Sequence, residues 1–232
     1  EADRNAAGAQ LVYQVEAEGA ALLTNENGTL PLDKGAKISL FSTSYVNIIY
    51  GGTGSGNVDA SKSHNLKQAM EEVGGFKVNP TLWEFYSTGA AKDYTRGNAG
   101  AVVQDSATAS GYGSAEIVEA PWSLYTETAG VLESIEEYGD AAIVVLSRIG
   151  GEGADSYFDH ELGDGKNYLA LNDTEKEMMA NIKAMKDAGT IDKIVVLINT
   201  SNALQVDFLK NNEYGVDATL WIGGVGQTGI NA

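Results

Sequence analysis

A short apolar run followed by a glycine-rich turn constrains this chain more than any other segment. Residues 141–146 (AAIVVL) carry no polar side chain, and residues 147–155 (SRIGGEGAD) follow directly. Apolar runs of this length are typical of strands buried on both faces of a parallel sheet. Ligands bind beyond the carboxyl ends of such strands, where glycines let the backbone approach them closely. Glu152 is therefore a candidate catalytic acid; the alternative is a solvated loop acid beside glycines that serve only the turn.

Apolar runs that alternate with helical patterns predict the fold class. Strands are predicted at residues 37–41, 76–78, 141–146, 194–198 and 218–222, and helical stretches at residues 5–18, 65–73, 80–86, 126–138, 174–189 and 204–209. Strands alternating with helices indicate βαβ crossovers. We therefore predict an α/β fold with a mostly parallel open sheet covered by helices on both faces, an α/β sandwich of flavodoxin-like type. Residues 89–121 show no periodicity and predict a long loop, either functional or disordered.

The polar or glycine-rich segments that follow the predicted strands are expected to share one edge of the sheet. They are residues 42–44, 148–153, 199–202 and 223–229. Because parallel strands end on the same side, these segments predict a rim that faces a ligand. The alternative is that the turns are small and polar for conformational reasons alone.

Composition excludes several classes of partner and site. The 32 acidic and 15 basic residues give a formal charge of -17, which repels nucleic acid and anionic membrane surfaces. The chain has no cysteine, so disulfides, thiolate metal sites and thiol nucleophiles are excluded. No apolar stretch is long enough to span a bilayer, and residues 1–20 contain no recognisable signal sequence. With 43% hydrophobic residues in 232, we expect one large domain with its own core.

A second glycine-rich segment, residues 51–56 (GGTGSG), does not fit nucleotide binding. A phosphate-binding loop needs Lys and Ser or Thr after its last glycine, but Asn57 and Val58 follow here. The glycine spacing also fails the dinucleotide fingerprint. The two histidines are too few for a zinc site. We expect no metal and no cofactor.

Several segments together resemble glycoside hydrolase family 3, which contains β-glucosidases and β-xylosidases. Residues 147–153 (SRIGGEG) resemble the acid/base loop of that family, and residues 51–56 resemble its glycine-serine loop. Further similarity lies in residues 18–32, 168–171, 196–199 and 220–227. Where the family commonly has Asp-Arg after its glutamate loop, this chain has Asp155 and Ser156.

The resemblance implies a role for each candidate residue. Glu152 would be the acid/base of a retaining glycosidase, and Ser55 and Gly54 would contact the bound sugar. The nucleophilic aspartate would come from a TIM-barrel domain of the same polypeptide, which has no counterpart in this sequence. The implied partners are thus a β-glycoside substrate and that barrel, with no nucleic acid and no membrane. The implied function is the acid/base domain of an exo-acting β-glycosidase, which is expected to be inactive alone.

Arg148 and the tryptophans have more than one interpretation. Arg148 could orient Glu152 or bind sugar hydroxyls, and an ion pair with Asp155 is the structural alternative. Trp122, beside Pro121, is a candidate platform for a sugar ring, whereas Trp221 is expected to pack in the core.

The expected domain organisation is a leading helix and connector at residues 1–32, then the α/β sandwich at residues 33–232, incomplete at its C-terminus. Two other function classes stay open at this point. One is a non-catalytic carbohydrate-binding or interaction module with the same fold. The other is a small-molecule receptor of flavodoxin-like type, which would need an enclosed pocket made by this chain alone.

Overall fold

The computed structural model describes residues 2–52, 58–94, 117–149 and 168–232. Within these ranges the strands are β1 (Ala21–Asn25), β2 (Lys37–Phe41), β3 (Lys77–Val78), β4 (Ala141–Arg148), β5 (Ile194–Thr200) and β6 (Ala218–Trp221). The helices are α1 (Ala2–Gly19), α2 (Thr43–Val46), α3 (Leu66–Gln68, continued by a π turn at Ala69–Val73), α4 (Pro80–Ser87), α5 (Trp122–Glu127), α6 (Val131–Glu137), α7 (Asp173–Asp187), α8 (Asp207–Lys210) and α9 (Gly226–Gly229). No helix in this described part is long and apolar enough to cross a membrane.

The strands form one sheet in the order β1-β6-β5-β4-β2-β3, and all neighbours are parallel except β1 and β6. Every residue of β4 and β5 is buried, so both faces of the sheet centre are covered. Val144 pairs with Phe41 of β2 on one side and with Val196 of β5 on the other. The predicted α/β sandwich with a mostly parallel sheet is confirmed.

Strand β1 was not predicted from the sequence. It runs antiparallel to β6 at the edge of the sheet, and its side chains Leu22 and Leu23 are largely exposed. A five-residue edge strand with one partner and both leucines in solvent lacks the alternating pattern of a half-buried strand. The sheet therefore includes residues that precede the boundary at residue 32.

Two predicted helices differ in their limits. The stretch 126–138 is interrupted: α5 ends at Glu127 and α6 begins at Val131, with Gly130 in the left-handed region (φ 82°). The last predicted helix begins at Asp207, three residues later than expected. Such short helices are set by packing and local turns more than by periodicity.

Side-chain caps fix the starts of the helices that approach the candidate site. The Asn79 side chain accepts hydrogen bonds from Thr81 N and Leu82 N, and Pro80 occupies the first turn, where its missing N–H is not needed. Asn172 and Glu175 form a capping box at the start of α7. That box brings the Glu175 carboxylate to the end of β4, where the candidate site begins.

Candidate functional site

The carboxyl ends of β2, β4, β5 and β6 lie on one edge of the sheet, because these strands are parallel neighbours. Direct contacts join residues at the ends of β4 and β5 to the segments that follow β2 and β6. Ser44 Oγ lies 2.6 Å from Ser147 Oγ, and Asn199 Nδ2 donates to the Gly223 carbonyl at 2.7 Å. The prediction that these segments share one edge of the sheet is confirmed for their described residues.

Buried Asn199 anchors the chain that leads into the glycine-serine segment. Its Oδ1 accepts from Ile49 N at 2.5 Å, and its Nδ2 donates to Ile49 O at 3.0 Å. One residue further, the Tyr50 carbonyl accepts from Gly226 N at 2.7 Å. The Ile49 side chain is buried against Ile149, which follows β4. The residues that precede the two glycine-rich segments are therefore in contact.

Arg148 is the last residue of β4, and its guanidinium is fully engaged. Its side chain is 2% exposed and forms a bidentate ion pair with fully buried Glu175, with Nη1–Oε1 at 2.8 Å and Nη2–Oε2 at 2.7 Å. Nε donates to Tyr168 O at 2.6 Å, Nη1 to Ser147 O at 2.7 Å and Nη2 to Ala170 O at 2.5 Å. Five N–H groups thus meet five acceptors. Burial lowers the pKa of Arg148, but the charge and hydrogen bonds of Glu175 raise it by more, so the net effect is a raised pKa.

Ile149 and Tyr168 border the segment that carries Glu152, and they are held together. The Tyr168 hydroxyl accepts from Ile149 N and donates to Ile149 O, both at 2.9 Å. The Tyr168 carbonyl also accepts from Arg148. Ile149 and Tyr168, the residues before and after this segment, are therefore in contact at the sheet edge.

Thr43, at the start of α2, contacts residues on both sides of the segment 95–116. Its N–H donates to Glu119 Oε2 at 2.8 Å, and its hydroxyl donates to the carbonyl of Tyr94. Directly after that segment, the Ile117 carbonyl accepts from Asn172 Nδ2 at 2.9 Å. Tyr94 therefore lies beside the start of α2, and Ile117 lies beside the start of α7.

Comparison with known proteins identifies the family. Residues 20–232 match the model of the glycosyl hydrolase family 3 C-terminal domain. The chain belongs to this family. The chain is 28% identical over 222 residues to a β-glucosidase of Ruminococcus albus, and 23% identical over 240 residues to β-glucosidase A of Butyrivibrio fibrisolvens. Each alignment includes 93% of the chain but only 20% and 25% of the relatives. The family 3 domain thus spans a quarter or less of their length.

Solved structures give the same fold. β-Glucosidase 3B from Thermotoga neapolitana in complex with glucose matches 96% of the chain with a TM-score of 0.69 at 24% identity. A β-glucosidase from Paenibacillus barengoltzii matches 96% with a TM-score of 0.72 at 21% identity. The chain corresponds to 28% and 22% of those two proteins. At these identities, the likeness establishes the sandwich fold of the family 3 domain.

Of the predicted site residues, the structure describes only Arg148. Glu152, Ser55 and Gly54 lie outside the described residues, and so does Asp155, the partner considered for Arg148. Within the described residues Arg148 is paired with Glu175, a contact that the sequence did not predict. The available signal was the capping-box spacing from Asn172 to Glu175, which places the glutamate on the first turn of α7 but does not reveal its partner.

The structure describes Trp122 and Trp221, for which the sequence suggested a sugar platform and a core position, respectively. Trp122 stacks on buried Tyr125 with ring centroids 4.5 Å apart. Trp221 is 37% exposed, and its Nε1 donates to Thr200 O at 2.8 Å. The expectation that Trp221 packs in the core is therefore wrong, because β6 has only the edge strand β1 beyond it.

No cluster of three or more His, Asp or Glu within the described ranges is arranged to hold a metal ion.

Glu119 is a second buried carboxyl group that sequence reasoning missed. Its side chain is buried, and its oxygens accept from Thr43 N at 2.8 Å and Ala120 N at 2.9 Å. Burial raises the pKa of Glu119 to about 7, although hydrogen bonds from Ser42, Thr43 and Ala120 oppose the rise. Glu119 precedes α5 in a segment without periodicity, so nothing in the sequence marked it as buried.

We expect Glu119→Gln to change how stability depends on pH. The folded state raises the pKa of Glu119 from 4.5 to about 7, so its contribution is fully present below pH 4.5 and is lost as pH rises through 7. Relative to the variant, the wild-type free energy of unfolding should fall by roughly 3 kcal/mol between pH 4.5 and pH 8. Urea titrations across this range measure the difference. Exposed Glu127→Gln is the matched control, and a wild-type to E119Q difference that is constant with pH would contradict the assignment.

Proposed function

We propose that this chain is the acid/base-contributing domain of a retaining, exo-acting β-glycosidase of the β-glucosidase or β-xylosidase type, which hydrolyses terminal β-linked sugars. Membership of family 3 and the β-glucosidase relatives support the reaction class. The share of the relatives that it spans supports a role as one part of a larger active site. Glu152 is the proposed acid/base.

The observation that carries this proposal is the contact between Ile49 and Ile149 at the carboxyl edge. The first residue leads into the GGTGSG segment and the second into the Glu152 segment, so both motifs start from one place. Three residues of chain reach at most about 11 Å. The position of Glu152 three residues after Ile149 therefore supports the proposal that it acts beside the other motif.

In the proposed reaction, Glu152 acts twice. As a general acid it protonates the departing glycosidic oxygen while a nucleophilic aspartate attacks the anomeric carbon, forming a glycosyl-enzyme intermediate. As a general base it then takes a proton from the water that hydrolyses the intermediate. The aspartate is proposed to belong to a TIM-barrel domain of the same polypeptide. Docking of that barrel would desolvate the acid and place a carboxylate beside it, and both changes favour the protonated form.

In the proposal, Ser55 and Gly54 contact the substrate. They follow Tyr50 closely in sequence, and the Tyr50 carbonyl is held at the carboxyl edge by Gly226 N. For Arg148, the five hydrogen bonds described above favour the orienting role over a direct contact with sugar hydroxyls. No donor of this guanidinium is left over for a sugar hydroxyl.

We predict that the purified 232-residue chain does not hydrolyse aryl β-glucosides, because the proposed nucleophile belongs to another domain. The measurement is release of 4-nitrophenol at high enzyme concentration, with Glu152→Gln as the background control. Turnover by the chain that exceeds this control would contradict the division of the active site between two domains.

In the complete enzyme, Glu152→Gln should slow hydrolysis according to the leaving group. General acid catalysis contributes roughly 10²–10⁴-fold, and a good leaving group needs little of it. We therefore expect kcat/KM, which reports the first step, to fall by about that factor for phenyl β-glucoside and by far less for 2,4-dinitrophenyl β-glucoside.

Glu161→Gln, which removes a carboxylate from the same segment, is the control for this measurement and should leave both substrates unchanged. Equal losses for the two substrates in Glu152→Gln would argue against an acid role and would favour a non-catalytic module with this fold.

A further inference from the structure

We propose that Glu175 acts through Arg148 as a positioning residue for the acid/base step, by fixing Ile149 and Tyr168, the two residues that border the Glu152 segment. This inference rests on the proposed role of Glu152. Glu175 is on α7 and has no part in the chemistry itself. Its effect is on where the chain leaves and rejoins the sheet edge.

The first step of the argument is that the Glu175 carboxylate has one fixed orientation. Its Oε2 accepts from Arg148 Nη2 at 2.7 Å and from Asn172 N at 2.8 Å, while Oε1 accepts from Arg148 Nη1 at 2.8 Å. The side chain is fully buried on the first turn of a fifteen-residue helix. A planar guanidinium that meets both oxygens of a fixed carboxylate is itself fixed.

The second step is that the fixed guanidinium holds the returning chain. Its Nε and Nη2 donate to the carbonyls of Tyr168 and Ala170. The Tyr168 side chain then reaches back to both backbone groups of Ile149. One continuous set of hydrogen bonds therefore runs from Glu175 through Arg148 and Tyr168 to Ile149.

The third step explains why the pair is ionic. A buried ion pair is not favoured over well-packed apolar residues for stability alone. Apolar side chains could fill the same space, but they would leave the carbonyls of Tyr168 and Ala170 without donors. The ion pair is explained if the position of these carbonyls matters for Glu152, because only two residues separate Ile149 from Glu152.

The test is the leaving-group dependence of Glu175→Gln in the complete enzyme. The amide keeps the shape and one acceptor but cannot hold the guanidinium at both oxygens. A displacement of about 1 Å at a catalytic group can cost 10²-fold. We expect kcat/KM to fall roughly 10- to 100-fold for phenyl β-glucoside and to change little for 2,4-dinitrophenyl β-glucoside. Loss of folded enzyme alone would lower both equally.

Asp173→Asn is the matched control, because Asp173 lies on the same helix turn with its side chain 90% exposed. It should leave both substrates unaffected. A second variant guards against poor folding of Glu175→Gln. Arg148→Met with Glu175→Leu leaves no unpaired buried charge, so its unfolding midpoint should be higher than that of Glu175→Gln, but hydrolysis of phenyl β-glucoside should stay low. Wild-type rates in this double variant would overturn the positioning role.

The same measurements separate this inference from the function it rests on. If Glu152→Gln depends on the leaving group and Glu175→Gln lowers both substrates equally or neither, only the positioning role of Glu175 is wrong. If Glu152→Gln itself shows no dependence, the acid role fails and the positioning role fails with it.

Discussion

The parallel direction of β2, β4, β5 and β6 is the constraint on which the candidate site depends. Four strands that run the same way deliver four connecting segments to a single edge, and Asn199 and the pair Ser44 and Ser147 then join those segments directly. The common strand direction brings together residues far apart in sequence, such as Ser44 and Ser147, which are 103 positions apart. A β4 strand buried along its whole length makes this edge rigid, because none of its residues is free to move into solvent.

Glu175 and Glu119 are both buried near this edge, but their surroundings give the two carboxyl groups different roles. Glu175 faces the Arg148 guanidinium and serves as one half of a buried ion pair. Among the described residues Glu119 accepts from neutral donors, the N–H groups of Thr43 and Ala120 and the Ser42 hydroxyl, and burial raises its pKa. The first carboxylate holds the chain through its ion pair with Arg148. The second has a pKa raised to about 7 by burial.

The sequence predicted what depends on apolar pattern and strand direction. The runs at residues 37–41, 141–146 and 194–198 are buried strands, and the rim that they create was expected before the structure. The sequence did not predict β1, since an edge strand with exposed Leu22 and Leu23 lacks the pattern of a buried strand. It also did not predict the pairing of Arg148 with Glu175, because a contact between residues 27 positions apart depends on how α7 packs beside β4.

The family 3 domain presents an edge where Ile49 and Ile149, the residues that precede the two glycine-rich motifs, are in contact, and the proposed chemistry requires a partner domain across from it. Such a division would place the acid on one domain and the nucleophile on another, so catalysis would depend on how the two are docked. The most direct measurement is the distance between the Glu152 carboxyl group and the nucleophilic aspartate in a crystal structure of the complete protein with a bound sugar. A retaining two-domain site predicts about 5 Å. A separation beyond roughly 10 Å, which exceeds even the range for inverting enzymes, would contradict it.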